Sequence, residues 1–320
     1  MKFWVGVTDK NWFDYLASIK PDEVNFWKPS GQGFGAIELG TPFLFKLKSP
    51  INKIVGGGYF IRSEQIPWSL AWDAFGNKNG SSNLNELRNK INSLRTNPET
   101  DPTIGCIILN QPFFFSEDKW IDVPSSFAKN IVIGKTYDTN EQDGERLWNE
   151  VALRLNDVKR NGLVAEPLAA YGKEYLIKGR LGQGAFRILV TGAYNRNCAI
   201  SGEKALPVLQ AAHIKPFNEQ GPNKVENGLL LRSDLHILFD RGYVTVTPEY
   251  KIEVSRKIKE EFNNGKHYYT FHGKELYALP KIIADRPSLD FIRWHNENVY
   301  KDWCRMKSFF PKPRFKVEKF

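Results

Sequence analysis

Three residues in the second half of the chain carry side chains whose types and spacing could support hydrolytic chemistry. His213, Asn227 and His236 follow one another at intervals of 14 and 9 residues, and Asp240 lies four residues beyond His236. Cleaving a phosphodiester needs an activated water molecule and a cation that stabilises the transition state and the leaving 3′ oxygen. A histidine can activate the water, and a histidine with a carboxylate can hold the cation. The spacing therefore favours metal-assisted hydrolysis.

The sequence around the first two residues predicts a hairpin. His213 ends an apolar run and precedes Ile-Lys-Pro, which places it at the end of a first strand. Asn227 follows a polar connection and opens a second strand at residues 228–231. The hairpin would bring both residues to the same end of the two strands.

A short helix is predicted directly after the hairpin. Ser233 is a suitable N-cap, and Gly242 stands where a helix of this length would end. His236 and Asp240 are four residues apart, so they share one helix face as two ligands of a single ion would. Taken alone, such a pair is more commonly a solvated ion pair, and a lone histidine or Asn-Gly is more commonly structural.

The order and spacing of these features resemble the ββα-metal nuclease motif of the HNH family. The matching strings are A-A-H-I-K-P-F and N-G-L-L-L-R-S-D-L-H-I-L-F-D-R-G. The resemblance implies that His213 is the general base and that Asn227 holds the hairpin loop against it. It also implies that His236 and a carboxylate bind Mg²⁺ or Mn²⁺, with Ni²⁺ or Co²⁺ able to replace them in vitro.

Two positions depart from the pattern of many HNH proteins. Ala212 occupies the place of the Asp or His that often precedes the base as a metal ligand. The metal must then rely on His236 with either Asp240 or Asp234, and Asp240 is preferred. Cys198 stands where many relatives begin a zinc-binding C-x-x-C, but Ser201 takes the second place. No structural zinc is therefore expected.

Length and charge predict two domains and a polyanionic partner. A chain of 320 residues exceeds the usual size of one domain. Of the net charge of +9, residues 1–150 contribute −2 and residues 151–320 contribute +11. A basic second domain suits nucleic acid, because neutralising phosphates releases counterions. A basic but merely solvated surface remains the alternative.

Cysteine content and hydropathy favour a cytoplasmic protein. The three cysteines are far apart in sequence, which argues against a disulfide framework. The N-terminal residues lack the apolar core of a signal peptide, and no apolar run approaches 18 residues. Neither export nor a membrane partner is expected.

The pattern of elements predicts an α+β protein. We expect domains at 1–170 and 185–320 joined by a glycine-containing linker at 171–184, with a loosely ordered tail after Trp303. Predicted strands cover 3–7, 42–48, 54–62, 105–109, 120–123, 251–255 and 268–271. Predicted helices cover 11–19, 68–75, 84–94, 188–194, 290–300 and the charged segment 141–172. The first domain is expected to be a small curled β-barrel with flanking helices.

The first half resembles EVE domains of the PUA superfamily in its string of elements. The resembling segments include W-V-G-V-T-D-K, N-F-W-K-P-S-G-Q-G-F and I-V-G-G-G-Y-F. The resemblance implies a PUA-like reader of modified nucleobases, which flips a base into an aromatic pocket. The pocket candidates are Trp27, Lys28, Ser30, Phe34, Trp68, Trp72 and Asn110, although such aromatics are more often core residues.

The two resemblances together imply a modification-dependent restriction endonuclease. Its partner would be double-stranded DNA carrying 5-methylcytosine or 5-hydroxymethylcytosine. Because one HNH motif supplies one general base and one metal site, cutting both DNA strands requires a homodimer or two sequential encounters between the protein and the DNA. Two alternatives remain open, namely a catalytically inactive nucleic-acid binding module and an HNH nuclease without modified-base specificity.

Overall fold

The computed structural model describes residues 1–31, 34–35, 37–160 and 181–301, with the side chains of residues 157–160 excepted. The chain divides into two compact units, Met1–Ala185 and Phe186–Phe320. Residues 171–180 of the expected linker lie outside the described residues, as does the tail after Trp303, whereas residues 183–184 of the linker begin a helix. Strands and helices occur in both units, so the mixed α+β class is confirmed. No helix in the described ranges is long and apolar enough to cross a membrane.

The first unit is built on one seven-stranded sheet. Its strands are β1 (Lys2–Thr8), β2 (Glu23–Lys28), β3 (Pro42–Leu47), β4 (Lys53–Pro67), β5 (Thr103–Phe114), β6 (Ile121–Asp122) and β7 (Gly134–Asp138). Their order in the sheet is β2-β5-β4-β3-β1-β7, and β6 pairs separately with the start of β4. The pair β1–β3 is parallel and the other pairs are antiparallel.

The described part of this sheet does not close into a barrel. Strands β2 and β7 stand at opposite ends of the order, and no pairing joins them in the described residues. The predicted curled PUA-like barrel is therefore not confirmed. The long strand β4 does carry two register shifts against β5, which are the irregularities that bend a strand. At Gly56 a Cβ atom would lie 2.2 Å from the carbonyl oxygen of Phe113, so only glycine permits this approach.

Helices and aromatic side chains complete the first unit. Among the described residues of this unit the α-helices are α1 (Lys10–Ile19), α2 (Trp68–Phe75), α3 (Leu84–Ser93) and α4 (Gln142–Arg160). Helix α1 begins where the Asp9 carboxylate accepts a 2.9 Å hydrogen bond from the Trp12 backbone N–H. Trp12 packs edge-on against Phe26 and Phe45 in the buried core. Much of the aromatic content of this half therefore packs the sheet.

The described part of the second unit, residues 186–301, holds two small antiparallel hairpins and short helices. Strand β8 (Leu209–His213) pairs with β9 (Gly228–Arg232), and β10 (Val244–Val246) pairs with β11 (Ile252–Val254). The helices are α5 (Gln183–Ala193), which begins just before the boundary, α6 (Ser233–Asp240), α7 (Lys257–Phe262), α8 (Lys266–Tyr269) and α9 (Leu289–Asn298). Their apolar faces enclose one core.

The predicted strand at 268–271 is wrong. Helix α8 and the turn that follows it occupy this segment, because the N–H groups of Tyr268 and Tyr269 both bond to the carbonyl oxygen of Gly265. Gly265 adopts a φ of 109°, a left-handed value open to glycine, and this starts the turn. Aromatic and β-branched content alone does not separate such a turn from a short strand.

Candidate active site

The hairpin and helix of the second unit assemble the predicted site. In the β8–β9 ladder His213 stands opposite Gly228, and Leu209 stands opposite Arg232. Helix α6 follows β9 without a connecting loop. Asn227 immediately precedes β9, so it lies beside the end of β8 that carries His213. The local order is strand, loop, strand and helix, which is a ββα unit.

The His213 ring is held in a fixed orientation. Its Nε2 lies 2.8 Å from Oδ1 of the buried Asn223, and its face stacks on Phe186 with ring centroids 4.0 Å apart. An amide oxygen only accepts, so Nε2 carries the proton and Nδ1 keeps its lone pair. Burial lowers the pKa of His213; the bond to Asn223 opposes this effect, the His236 imidazole adds to it and Asp240 opposes it. The neutral ring is the form that can take up a proton.

Asn227 ties down both ends of the loop between the strands. Its Oδ1 accepts a 2.9 Å bond from the backbone N–H of Lys215, and its Nδ2 donates to the carbonyl oxygens of Lys215 and Pro222, each at 2.9 Å. The backbone carbonyl of Asn227 also accepts from the Ile214 N–H at 2.9 Å. The side chain is fully buried. The backbone just after His213 is therefore fixed by one residue.

His236 and Asp240 face each other on α6. His236 Nε2 lies 3.3 Å from Asp240 Oδ2, and His236 Nδ1 lies 2.8 Å from Oε1 of Gln210 on β8. Since the Gln210 oxygen only accepts, Nδ1 carries the proton and Nε2 presents its lone pair beside the carboxylate. Burial lowers the pKa of His236, and the charge of Asp240 opposes the shift. Desolvation raises the pKa of Asp240, and the two imidazoles oppose it.

These two donors fit a divalent metal ion. A lone pair and a carboxylate oxygen 3.3 Å apart would repel each other unless a cation or proton lay between them. Neighbouring ligands of an octahedral ion with bonds of about 2.1 Å are separated by about 3 Å, close to this distance. No group of three His, Cys, Asp or Glu side chains suited to a metal occurs in the described ranges. His236 and Asp240 therefore fit a metal site in which the protein supplies two ligands and the other coordination positions are open.

Asp234, the alternative ligand, is engaged elsewhere. Both of its oxygens pair with the Arg232 guanidinium, at 2.6 and 2.8 Å, and Oδ2 also accepts from the Tyr268 hydroxyl at 3.1 Å. The bonds from Arg232 hold the pKa of Asp234 below its usual value. Asp240 therefore has the better geometry for a shared ion with His236.

The turn at Cys198 is held by hydrogen bonds. The Cys198 thiol is buried, and its Sγ accepts from the backbone N–H groups of Ser201 and Arg232, at 3.4 and 3.3 Å. The neighbouring Ala199 N–H donates to the carbonyl oxygen of Leu230 at 2.7 Å. This turn is thereby attached to β9, at the strand that leads into α6.

The first unit contains a cavity of about 440 Å³ that includes three of the predicted base-binding residues. Trp27, Lys28 and Ser30 line it, together with Trp12 and Lys48. The Trp27 indole N–H donates to the carbonyl oxygen of Asn79 at 2.9 Å, which fixes the plane of the ring. Burial lowers the pKa of Lys28. The cavity combines an oriented aromatic wall with cationic groups.

The other four predicted base-binding residues do not line this cavity. Phe34 is buried against neighbouring aromatic rings, although its ring lies 4.8 Å below the Lys28 ammonium. Trp68 donates its indole N–H to the Thr100 carbonyl, and Trp72 lies on α2. Asn110 is buried with its Nδ2 unpartnered. The cavity is therefore lined by three of the seven predicted base-binding residues.

Residues 209–240 of the second unit have the strand, strand and helix order of a ββα unit. A longer segment, residues 198–247, matches the HNH_2 family, whose description is HNH endonuclease. The chain therefore contains an HNH endonuclease domain. The matched segment includes His213, Asn227, His236 and Asp240. No curated protein matches the chain.

Two solved structures resemble the chain in part. A ZmASCH mutant protein from Zymomonas mobilis has 14% sequence identity and a TM-score of 0.32, over 47% of this chain and 98% of its own. The modification-dependent TagI restriction endonuclease has 14% identity and a TM-score of 0.27, over 87% of this chain and 75% of its own. TM-scores this low do not establish a shared fold.

Sequence reasoning missed the residues that orient the two imidazoles. Asn223 lies in the polar loop and Gln210 lies on β8, and neither has a residue type that signals chemistry by itself. Burial along β8 does not alternate, since Leu209 and Ala212 are buried and Gln210 is exposed, so a period of two does not place Gln210 beside His213. Asn223 lies in a loop and had no periodic signal either.

Proposed function

We propose that this protein is a DNA endonuclease that cuts DNA carrying 5-methylcytosine or 5-hydroxymethylcytosine. The observation that carries the nuclease part is the arrangement of His213, Asn227 and the His236–Asp240 pair on one ββα unit inside the matched HNH segment. The cavity with Trp27 and Lys28 supports the reader part.

His213 acts as the general base. With Nε2–H bonded to Asn223, the free Nδ1 accepts a proton from a water molecule as the water oxygen attacks phosphorus. The bond from phosphorus to the 3′ oxygen breaks, and the electron pair leaves with that oxygen. The depressed pKa keeps His213 neutral near pH 7, so the base is available without prior deprotonation.

His236 and Asp240 would hold a divalent ion, Mg²⁺ or Mn²⁺. When bound, such an ion would supply charge stabilisation for the transition state and the leaving oxygen. Gln210 keeps the lone pair of His236 Nε2 directed towards Asp240, because its Oε1 accepts a hydrogen bond from Nδ1–H. Asn227 is a positioning residue, since it fixes the backbone next to His213.

The cavity of the first unit binds the modified base. A flipped base would stack on Trp27, whose ring is held by its bond to Asn79, while Lys28 and Ser30 offer polar groups to the base edge.

Each chain offers one general base, His213, and one metal-binding pair, His236 and Asp240. Cutting both strands therefore requires two chains or two successive encounters.

Plasmid digestion tests the nuclease. Methylated, hydroxymethylated and unmodified plasmids are incubated with Mg²⁺ or Mn²⁺ and with wild type, His213→Ala or the control His272→Ala, which changes a half-exposed histidine outside the ββα unit. We expect cleavage by wild type and His272→Ala and a loss of at least about 100-fold in His213→Ala. Equal cleavage by His213→Ala would exclude it as the base.

A second pair of variants tests the reader. Trp27→Ala is compared with Trp72→Ala, which removes an indole that does not line the cavity. We expect Trp27→Ala to lose the preference for modified DNA while its residual cleavage stays sensitive to His213→Ala. If wild type cuts all three plasmids equally, the protein is a nuclease without modified-base specificity. If wild type binds DNA but never cuts it, the protein is an inactive binding module.

A further inference from the structure

The mouth of the cavity in the first unit carries exposed aliphatic side chains. Leu94, Val132 and Ile133 line the cavity together with Trp27, and they are 53%, 75% and 55% exposed, respectively. We call these three residues the apolar rim. Exposed aliphatic groups gathered at a cavity mouth mark a surface that another molecule covers.

The backbone holds the apolar rim in place. The Ile133 carbonyl oxygen accepts a 3.0 Å bond from the Val7 N–H on β1, and Gly134 then begins β7. On the other side of the segment, the Ile131 N–H bonds to the Ala128 carbonyl oxygen at 3.0 Å. Val132 therefore projects from an anchored turn, and its position does not depend on an occupant.

The charges around the apolar rim favour DNA as the occupant. Lys28 and Lys48 line the same cavity, and the exposed Lys129 precedes the rim in sequence. The single carboxylate that lines the cavity is that of Asp9, and it caps helix α1 by accepting from Trp12 N–H. Aliphatic groups beside a cationic pocket suit a ligand with apolar faces and a phosphate backbone, which is a stack of bases.

We propose that Val132 and Ile133, supported by Leu94, enter the DNA duplex and fill the space left by the base that turns into the cavity. This rests on the proposed reader function. A flipped base leaves the faces of its two neighbours exposed to water, and extrusion costs a few kcal/mol for a paired base. Apolar side chains placed between base steps cover those faces and stabilise the extruded state.

The inference predicts a contribution that depends on the duplex. A modified base in a single strand has no vacated space to fill, so only the cavity contributes to its binding. The full-length double variant Val132→Ser/Ile133→Ser is compared with wild type and with Ile282→Ser/Ile283→Ser, which changes two exposed isoleucines of the second unit, 62% and 79% exposed. Binding is measured by fluorescence anisotropy with divalent metal omitted.

We expect the rim variant to bind modified duplex about tenfold more weakly than wild type, and modified single strand within about twofold. A 2-aminopurine placed beside the modified cytosine should brighten on binding of wild type and less on binding of the variant, at saturating protein. The isoleucine control should match wild type on both substrates. Unchanged thermal unfolding of the variants would show that the fold is retained.

Other results would overturn the inference. Equal losses on duplex and single strand would make the rim part of the pocket wall, and no loss on either would remove it from DNA binding. A wild-type dimer that the rim variant converts to monomer, with unchanged duplex affinity, would assign the rim to a second copy of the chain. Failure of the reader is recognised separately, because wild type would then bind modified and unmodified DNA equally.

Discussion

Two replacements of Asn223 should shift the pH dependence of cleavage in opposite directions, Asn223→Asp to higher pH and Asn223→Ala to lower pH. In Asn223→Asp a carboxylate takes the place of the amide oxygen that lies 2.8 Å from His213 Nε2. Two unit charges about 4 Å apart interact by about 1 kcal/mol in water and about 4 kcal/mol at an effective dielectric constant of 20. Since one pKa unit corresponds to about 1.36 kcal/mol, the pKa of His213 should rise by about 0.7 to 3 units.

The alanine variant should shift the pKa the other way. The bond from Asn223 raises the pKa of His213 against the effect of burial, so its removal in Asn223→Ala lowers that pKa further. The plateau rate should also fall, because nothing then holds the proton at Nε2. Losing one hydrogen bond of this kind costs about 0.5 to 1.5 kcal/mol, which corresponds to roughly a 2- to 12-fold slower plateau.

The assay is kcat/KM for cleavage of one oligonucleotide duplex between pH 5 and 9 with Mn²⁺. The limb at which activity rises with pH reports the pKa of the base in the free enzyme. The midpoint of this limb should lie at the lowest pH in Asn223→Ala, at a higher pH in wild type and at the highest pH in Asn223→Asp. Asn218→Asp places the same charge on an exposed residue of the same loop and should leave the limb unchanged. Parallel shifts in both Asn223 variants would refute the assigned tautomer.

Three further predictions follow from the second unit. Gln210→Ala should weaken activation by Mn²⁺ about tenfold, measured as the metal concentration for half-maximal cleavage, because His236 Nδ1–H loses its acceptor; an unchanged value would exclude this role. Asn227→Ala should lower the free energy of unfolding by about 2 to 4 kcal/mol in urea denaturation, since it leaves backbone groups of Lys215 and Pro222 unpaired; a loss below about 0.5 kcal/mol would contradict the contact. Burial lowers the pKa of His295 to about 4, below the unfolded value of 6.5, so unfolding takes up a proton and stability should fall by about 3 kcal/mol as pH drops from 6.5 through 4. His295→Gln should flatten that part of the stability curve, and an equally steep curve would show that other groups cause it.

The ββα unit was predictable because its elements depend on local signals. The apolar run before His213, the Asn-Gly at the start of β9 and the i, i+4 spacing of His236 and Asp240 each reflect hydrogen bonding or periodicity within a few residues. The roles assigned to these residues remain proposals, although the structure brings them onto one unit. Ala212 is buried in the core, so its small size has a packing reason as well.

The first unit was harder to predict because its sheet depends on distant contacts. Strand β2 pairs with β5 across about eighty residues, and the sequence pattern of residues 23–28 did not single it out. The sheet order and the open edges also follow from such pairings. Aromatic residues posed a related problem. Trp27 and Trp68 look alike in sequence, yet one lines a cavity and the other is buried, and only the packing distinguishes them.

The hydrogen bonds of Asn227 separate the tip of the β8–β9 loop from the strand that carries His213. Residues 217–220 are all exposed, and the chain closes beneath them where the Gly221 N–H bonds to the Pro216 carbonyl oxygen at 3.0 Å. Asn227 grips the chain on either side of this tip, at Lys215 and Pro222. The tip can therefore be exchanged for a segment of different length or charge while the geometry of the His213 imidazole stays the same.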